Sequence, residues 1–243
     1  MSKCSNTISA VKRLQFWGVF FLAFIFLSGS SISVATMNKT DPSIKTLGVV
    51  IFPDFELLDV FGPLEMFGHL PDKIKIILIA EKAGPVKSYQ GPSVLVDVSL
   101  QEAPSIDFLL VPGGLGTRKE VNNKPLIEWI KQKAATAEIT LSVCTGAALL
   151  AKAGVLDGRK ATTNKMAFNW VATYGNNVTW VREARWVDDG NIVTSSGVAA
   201  GTDMSLYVIS RLYGRETTES LINTSEYIWN SNPQLDPFSK NIP

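Results

Sequence analysis

Residues 139–146 read ITLSVCTG, and this stretch decides the fold that we expect for the chain. Residues 139–143 are apolar enough for a strand that is buried on both faces, and they run directly into Cys144. The small residues at 145–153 predict a helix that ends at Gly154. A thiol at a sharp strand-to-helix turn, with small residues two positions before and after it, has the layout of a nucleophile elbow.

The same turn predicts how Cys144 reacts. A helix N-terminus presents free N–H groups and about half a positive charge. Both favour the thiolate, which is the nucleophilic form of cysteine. The alternative interpretation is an inert cysteine buried in a strand core. The spacing of residues leaves both interpretations open.

Strand-like and helix-like segments alternate on both sides of this turn. Apolar runs predict strands at 46–52, 74–80, 94–98, 108–111, 139–143, 178–181, 184–187 and 191–194. Helices are predicted at 60–70, 125–137, 145–153, 165–173, 202–213 and 216–230. This alternation predicts βαβ units in one doubly wound α/β domain, with a mostly parallel sheet and helices on both faces. Ligands of such folds bind beyond the carboxyl ends of the strands.

Two of those strand ends carry further candidate residues. Gly113 and Gly114 follow a buried strand, where their N–H groups can face a ligand as an oxyanion hole requires; an ordinary turn is the alternative. Asp59 follows the first strand, either as a helix N-cap or as a carboxylate that holds or moves a proton beside the thiol. Glu65 is expected to be solvated, and His69, the only histidine, is not expected to act as a base.

The composition excludes several classes of function. With 2 cysteines and 1 histidine, the chain lacks the ligands for a disulfide framework, a zinc finger or a multi-histidine metal centre, so we expect no metal. The 23 Lys and Arg residues against 22 Asp and Glu give a formal net charge of +1, which is not the clustered basic excess of a nucleic-acid binder. The glycines at 114 and 116 lack the third glycine of a dinucleotide fingerprint, and we expect no cofactor.

Residues 1–35 predict a secretory signal peptide. A positively charged start precedes the apolar run FWGVFFLAFIFL at 16–27, and small residues near position 35 suit cleavage. This run is shorter than the roughly 20 residues that a spanning helix needs, but an uncleaved membrane anchor at 16–27 is the alternative. We expect an exported protein, periplasmic or secreted, that contacts the membrane only through this segment. Its removal takes away three basic residues and no acidic one, which leaves a formal net charge of −2 and Cys144 as the only cysteine.

The rest of the chain is expected to be a polar lead-in at 36–44, one domain at 45–235 and a C-terminal tail at 236–243. The domain contains a series of motifs that together resemble the DJ-1/PfpI family, within the class I glutamine amidotransferase-like group of folds. The motifs are FPD at 52–54, LDVFGPLEMF at 58–67, VPGGLGTR at 111–118, VCTGA at 143–147, GVLDGRKATT at 154–163 and TSSGVAAGTDM at 194–204. The most similar branch contains the isonitrile hydratases and the amidase-like halves of AraC-type regulators.

The resemblance implies a flavodoxin-like fold, a homodimer and a small-molecule substrate. It implies that Cys144 is the nucleophile, that Asp59 is its acidic partner and that Thr145 takes part in catalysis. It assigns the oxyanion donors to Gly113 and Gly114. The implied activity is the hydration of a small electrophile, such as an isonitrile, to an N-substituted formamide.

Two residues depart from the patterns of related proteins. Thr145 stands where the proteases and amidotransferases of the wider group have a histidine, which disfavours a Cys–His hydrolase. Asn164 stands where members of the branch usually have a histidine; because an amide cannot shuttle protons, Asp59 is left as the evident acid–base group. A regulator would need a DNA-binding domain after residue 243, so we do not expect that function. A redox or small-molecule sensor that uses Cys144, a 2-oxoaldehyde-acting enzyme and a binding domain without activity remain alternatives.

Overall fold

The structure is a computed structural model that describes residues 44–241. The predicted signal peptide at 1–35, the alternative anchor at 16–27 and all but the last residue of the lead-in at 36–44 lie outside the described residues. Export therefore stays a prediction. Within residues 44–241, no helix is both long enough and apolar enough to cross a membrane.

Strands and helices alternate along the described residues. The strands are β1 (Lys45–Val50), β2 (Ile74–Ala80), β3 (Gly84–Lys87), β4 (Ser93–Val96), β5 (Val98–Ser99), β6 (Phe108–Val111), β7 (Ile139–Ser142), β8 (Lys160–Ala161), β9 (Thr179–Trp180), β10 (Trp186–Asp188) and β11 (Ile192–Ser195). The helices are α1 (Leu57–Gly68), α2 (Thr117–Glu120), α3 (Lys124–Thr136), α4 (Gly146–Lys152), α5 (Phe168–Ala172), α6 (Ala200–Tyr213) and α7 (Arg215–Ser225), followed by a 3-10 helix at Pro237–Asn241.

Seven of these strands form a central sheet in the order β10-β11-β7-β6-β1-β2-β5. Neighbouring strands pair in parallel, except that β10 is antiparallel to β11. Every residue of β6 and β7 is buried, which is why these strands appear in the sequence as continuous apolar runs. The predicted doubly wound α/β fold with a mostly parallel sheet is confirmed.

The strand order reverses between β1 and β6. The strands that follow β1, namely β2 and β5, lie on one side of it in the sheet. The strands that follow β6, namely β7 and β11, lie on the other side. Right-handed crossovers that run in opposite directions place α1 and α3 on opposite faces of the sheet. On its own face α1 packs against α6, whereas α3 packs against α4. The carboxyl ends of β1, β6 and β7, which precede the predicted site residues, therefore meet at the switch point where doubly wound folds bind ligands.

Two predicted strands pair differently from what the sequence suggests. The run at 94–98 is divided at Asp97, so that β4 forms a hairpin with β3 while β5 joins the edge of the central sheet. Asp97 causes the division, because its carboxylate accepts a hydrogen bond from Leu78 N–H at 2.8 Å and its own N–H donates to Leu78 O at 3.1 Å. The run at 178–181 is shortened to β9, which pairs with β8 outside the central sheet.

The C-terminal part of the chain departs from the predicted helix and packs closely. The helix predicted for 216–230 ends early, because Glu226 adopts a left-handed φ of 48°. Within the segment predicted as a tail, at 236–243, Asp236 is only 3% exposed and accepts a hydrogen bond from Ser196 Oγ at 2.6 Å. This contact holds the segment around Asp236 beside the turn that follows β11.

Helices α1 and α6 approach each other closely at a glycine. A Cβ atom built on Gly62 of α1 would lie 2.4 Å from Thr202 Oγ1 of α6, so that a side chain at this position requires Thr202 or the helices to shift. Gly68, at the other end of α1, has space, since its Cβ would meet only Ile76 Cδ1 at 3.8 Å. The contact at Gly62 sets the distance between α1, which carries Asp59, and its neighbour.

We predict that Gly62→Ala lowers the free energy of unfolding by about 1–3 kcal/mol, because the added methyl group overpacks the interface between α1 and α6. Gly68→Ala is the matched control in the same helix. It should leave stability unchanged or raise it by up to about 1 kcal/mol, because alanine favours helix. Denaturant unfolding of the three proteins measures both effects. Equal stability of the two variants would contradict the described helix packing.

Candidate active site

Cys144 occupies a strained turn between β7 and α4. Its φ is 54°, a left-handed value that non-glycine residues rarely adopt. The turn is held on both sides: Cys144 N–H donates to Ser196 O at 2.7 Å, and Thr163 Oγ1 donates to Cys144 O at 2.7 Å. This is the geometry that the predicted elbow requires. The side chain of Cys144 is buried, at 6% exposed, and its sulfur is not part of a disulfide.

Asp59 lies within the first turn of α1 and is fully buried. Its Oδ2 accepts a hydrogen bond from Gly113 N–H at 2.8 Å. Its Oδ1 is buried and has no hydrogen-bond partner among the described residues. The N-cap interpretation of Asp59 is wrong, because the N-cap of α1 is Glu56 and Asp59 is already helical. A buried carboxyl with an unsatisfied oxygen is costly to keep, and such groups are often functional.

In the loop that contains Gly113 and Gly114, both glycine N–H groups already donate hydrogen bonds to protein side chains. Gly113 N–H donates to Asp59, and Gly114 N–H donates to Thr145 Oγ1 at 3.0 Å. Thr117 Oγ1 further fastens the loop by donating to Gly114 O at 2.7 Å. A ligand would have to compete with these bonds for either N–H group. The oxyanion role of Gly113 and Gly114 stays a prediction that requires such an exchange.

The surroundings of Cys144 favour the thiol form. Burial raises the pKa of Cys144 well above its ordinary value of 9.0, and the negative charge of Asp59 raises it further. Hydrogen bonds from Thr145 oppose this rise without cancelling it. The expectation that the helix N-terminus favours a thiolate is therefore wrong for this structure, because burial and the nearby carboxylate outweigh the seven-residue α4.

Asp59 is also shifted toward its protonated form. Burial raises the pKa of Asp59 well above its ordinary value of 3.8, while the hydrogen bond from Gly113 opposes the rise. Glu56 adds a smaller rise through its charge, and the Cys144 thiol adds a smaller opposing contribution. The thiol and the carboxyl thus influence each other directly. Burial thus shifts both the thiol and the carboxyl toward their protonated forms.

Sequence reasoning did not foresee the part that the turn after β11 plays at this site. A Cβ atom built on Gly197 would lie 3.2 Å from Cys144 Sγ and 2.3 Å from Asn164 Nδ2. Gly197 therefore approaches both side chains, and Asn164 lies beside the thiol. The glycine in the motif TSSGVAAGTDM, immediately after a predicted strand, is the signal that could have indicated this approach.

The other titratable groups and the larger cavity lie apart from this cluster, whereas a smaller cavity adjoins it. His69 Nε2 and Glu65 Oε1 pair with each other at 3.2 Å on the exposed surface of α1. Among residues 44–241, no group of three or more His, Cys, Asp or Glu side chains is placed to hold a metal ion. A cavity of about 670 Å³ beyond the ends of β1 and β2 is lined by none of the predicted site residues. A smaller one, of about 240 Å³, is lined by Asn164 and Gly197.

Comparison with known proteins supports the resemblance seen in the motifs. The sequence model of the DJ-1/PfpI family matches residues 45–211. The isonitrile hydratase of Pseudomonas putida is 32% identical over 181 residues, which cover 74% of this chain and 78% of that protein. A deglycase of Pyrococcus abyssi is 30% identical over 146 residues, which cover 59% of this chain and 83% of that protein.

A solved structure gives the same result for the fold. The crystal structure of a ThiJ/PfpI family protein from Pseudomonas syringae superposes with a TM-score of 0.73 at 28% sequence identity. The superposition covers 90% of this chain and 89% of that chain. The similarity therefore extends over nearly the whole described domain.

We predict that Asp59→Asn changes how stability depends on pH. A carboxyl whose pKa is raised by folding holds its proton more tightly in the folded protein, so wild-type stability falls as pH rises above about 4. Asp59→Asn keeps an oxygen for Gly113 N–H but cannot ionise, so its stability should fall less over the same range. Denaturant unfolding between pH 4 and 8 measures the difference. Asp72→Asn, at an exposed aspartate, is the control, and identical pH slopes for Asp59→Asn and wild type would refute the shift.

We predict that the hydroxyl of Thr145 is needed to hold the loop. Thr145→Val keeps the shape of the side chain but leaves the buried Gly114 N–H without its acceptor, which should cost about 1–3 kcal/mol of stability. Thr145→Ser keeps the hydroxyl and should cost much less. Thermal and denaturant unfolding compare the two. If valine and serine are equally tolerated, the bond from Gly114 does not stabilise the loop.

Proposed function

Because this chain belongs to the DJ-1/PfpI family, we propose that it is a cysteine-dependent hydratase that converts an isonitrile into an N-substituted formamide. The observation that carries the proposal is the fully buried carboxyl of Asp59, which has one oxygen without a partner in the described residues and whose charge raises the pKa of Cys144. The 32% identity to an isonitrile hydratase supports the choice of substrate.

The first half of the proposed reaction joins the substrate to the enzyme. Cys144 Sγ attacks the terminal carbon of R–N≡C as the protonated Asp59 delivers its proton to the same carbon. The thiol proton then passes to the Asp59 carboxylate, which yields the thioimidate R–N=CH–S–Cys and returns Asp59 to its protonated form. The raised pKa of Asp59 suits this role, because a carboxyl that readily holds a proton can act as a general acid near neutral pH.

The second half adds water and releases the product. Water attacks the thioimidate carbon, Asp59 relays a proton to the substrate nitrogen, and a carbon–oxygen bond forms. The carbon–sulfur bond then breaks, and Sγ regains its proton as R–NH–CHO leaves. The sum is R–NC plus H₂O giving R–NH–CHO, with nothing oxidised or reduced overall.

A second candidate is an enzyme that acts on 2-oxoaldehydes. The deglycase of Pyrococcus abyssi, 30% identical over 146 residues, supports it, and the same thiol can add to an aldehyde carbon. A redox sensor is less well supported. Sensor cysteines are exposed thiols with a low pKa, whereas Cys144 is buried and its pKa is raised.

The setting of the enzyme is also a proposal. The pattern of residues 1–35 supports export to the periplasm or beyond. The exposed Leu58 and Phe61, three residues apart on α1, offer an apolar surface that supports a homodimer. Neither property is needed for the chemistry proposed above.

Turnover of methyl isonitrile tests the proposed activity. Wild type should release N-methylformamide, Cys144→Ala should lose about 10⁴-fold or more of the rate, and Asp59→Asn should lose about 10²–10⁴-fold. His69→Gln is the control and should retain full activity, since the exposed histidine has no role in the reaction. Equal turnover by wild type and Cys144→Ala would contradict the role of the thiol. Turnover of methylglyoxal in place of the isonitrile would favour the second candidate.

A further inference from the structure

Asn164 carries a hydrogen-bond donor that has no part in the reaction steps described above. Its Oδ1 accepts a hydrogen bond from Ala167 N–H at 3.1 Å. Because a backbone N–H can only donate, this bond fixes which end of the carboxamide is oxygen. Nδ2 therefore faces away from Ala167, toward Gly197 and the thiol.

The nitrogen of Asn164 lies within reach of the reacting sulfur. Nδ2 and Cys144 Sγ both lie within a few ångströms of one point, the Cβ position of Gly197. No described residue accepts a hydrogen bond from Nδ2, and this atom is not among the fully buried unsatisfied ones. It is a neutral donor with a free face beside Cys144. The N–H groups of Gly113 and Gly114, by contrast, are already bonded to Asp59 and Thr145.

The cavity of about 240 Å³ beside Asn164 is suited to an uncharged group. Its lining includes Met166, Val198 and Phe238, which supply apolar surface. Lys165 also lines it, but Nζ donates to Thr162 Oγ1 at 3.0 Å and to Ala184 O at 2.6 Å, and its charge is paired with Asp236 at 3.7 Å. The ammonium group of Lys165 is thus already hydrogen-bonded and paired within the protein. Asn164 Nδ2 is left as the donor that faces a ligand held between the cavity and the thiol.

We propose that Asn164 is a catalytic residue that donates a hydrogen bond from Nδ2 to the substrate nitrogen as the carbon–sulfur bond forms, with the N-substituent in the adjoining cavity. This inference rests on the proposed function. In R–N≡C the nitrogen has no free lone pair, because that pair is part of the triple bond. When Sγ adds to carbon, the nitrogen of R–N=CH–S–Cys gains a lone pair. A donor at this position binds the intermediate and not the substrate, which is the condition for accelerating the step.

Two substitutions distinguish the loss of the Nδ2 donor from the addition of a negative charge at position 164. Asn164→Asp keeps the oxygen for Ala167 N–H but removes the donor, and Asn164→Leu removes the donor without adding a charge. Each should lower kcat for methyl isonitrile by about 10²-fold or more, with KM little changed, because the bond is absent from the bound substrate. Asn176→Asp, the same change at an exposed asparagine, is the matched control and should leave both constants unchanged.

A second probe makes the test independent of isonitrile turnover. An activated nitrile such as 2-cyanopyrimidine accepts Sγ at its carbon and the thiol proton at its nitrogen. Intact mass detects the resulting thioimidate, and Cys144→Ala gives the background from the second cysteine, Cys4. Both Asn164 variants of the full chain should form this adduct about 10²-fold more slowly than wild type. If wild type hydrates no isonitrile yet shows this dependence, the proposed function fails while the role of Asn164 stands. Equal adduct rates for wild type and the variants, or no adduct with wild type, overturn the role of Asn164.

Discussion

The site depends on the hydrogen bond from Gly113 N–H to the buried carboxyl of Asp59. At 2.8 Å this bond joins the first turn of α1 to the loop after β6, and Gly113 lies close to the backbone of Thr145, the residue after Cys144. Only glycine allows it, because a Cβ at position 113 would lie 2.5 Å from Thr145 N and 2.8 Å from Asp59 Oδ2. The carboxyl ends of three neighbouring strands are thereby held together around one thiol.

Burial turns Asp59 and Cys144 into partners that keep their protons. A charge on either group is disfavoured by the loss of water, and a charge on Asp59 also disfavours one on Cys144. A proton that moves within such a pair creates no new net charge in the site. This suits an electrophile that must receive a nucleophile and a proton at the same carbon. The neutral amide of Asn164 fits the same environment, whereas a charged donor would have to be desolvated.

Much of this arrangement follows from local sequence. The continuous apolar runs of β1, β6 and β7 mark strands covered on both faces, and the small residues around Cys144 mark the sharp turn. Parallel strands bring their carboxyl ends to one edge of the sheet, so the proximity of Asp59, Gly113 and Cys144 could be foreseen. The division of a strand at Asp97 could not, because it depends on two hydrogen bonds to the distant Leu78.

The electrostatics of the site could not be predicted from local sequence either. The turn after β7 favours a thiolate when considered alone, but the depth of burial and the side chain of Asp59 reverse that preference. Local sequence also does not show that the N–H groups of Gly113 and Gly114 are already hydrogen-bonded, because their acceptors come from α1 and from the turn after β7. In each case the decisive partner lies far away in the sequence, and only the folded chain brings it into contact.

The coupling between Cys144 and Asp59 is tested most directly by measuring the pH at which Cys144 becomes a thiolate. Ultraviolet absorbance of the thiolate follows the titration in wild type and in Asp59→Asn, and Cys144→Ala gives the background that includes Cys4. Coupling of the two groups predicts a wild-type midpoint above pH 9 and a lower midpoint in Asp59→Asn, because the variant lacks the charge that opposes ionisation. A wild-type midpoint below pH 9, or the same midpoint in both proteins, would contradict the coupling of Cys144 to Asp59.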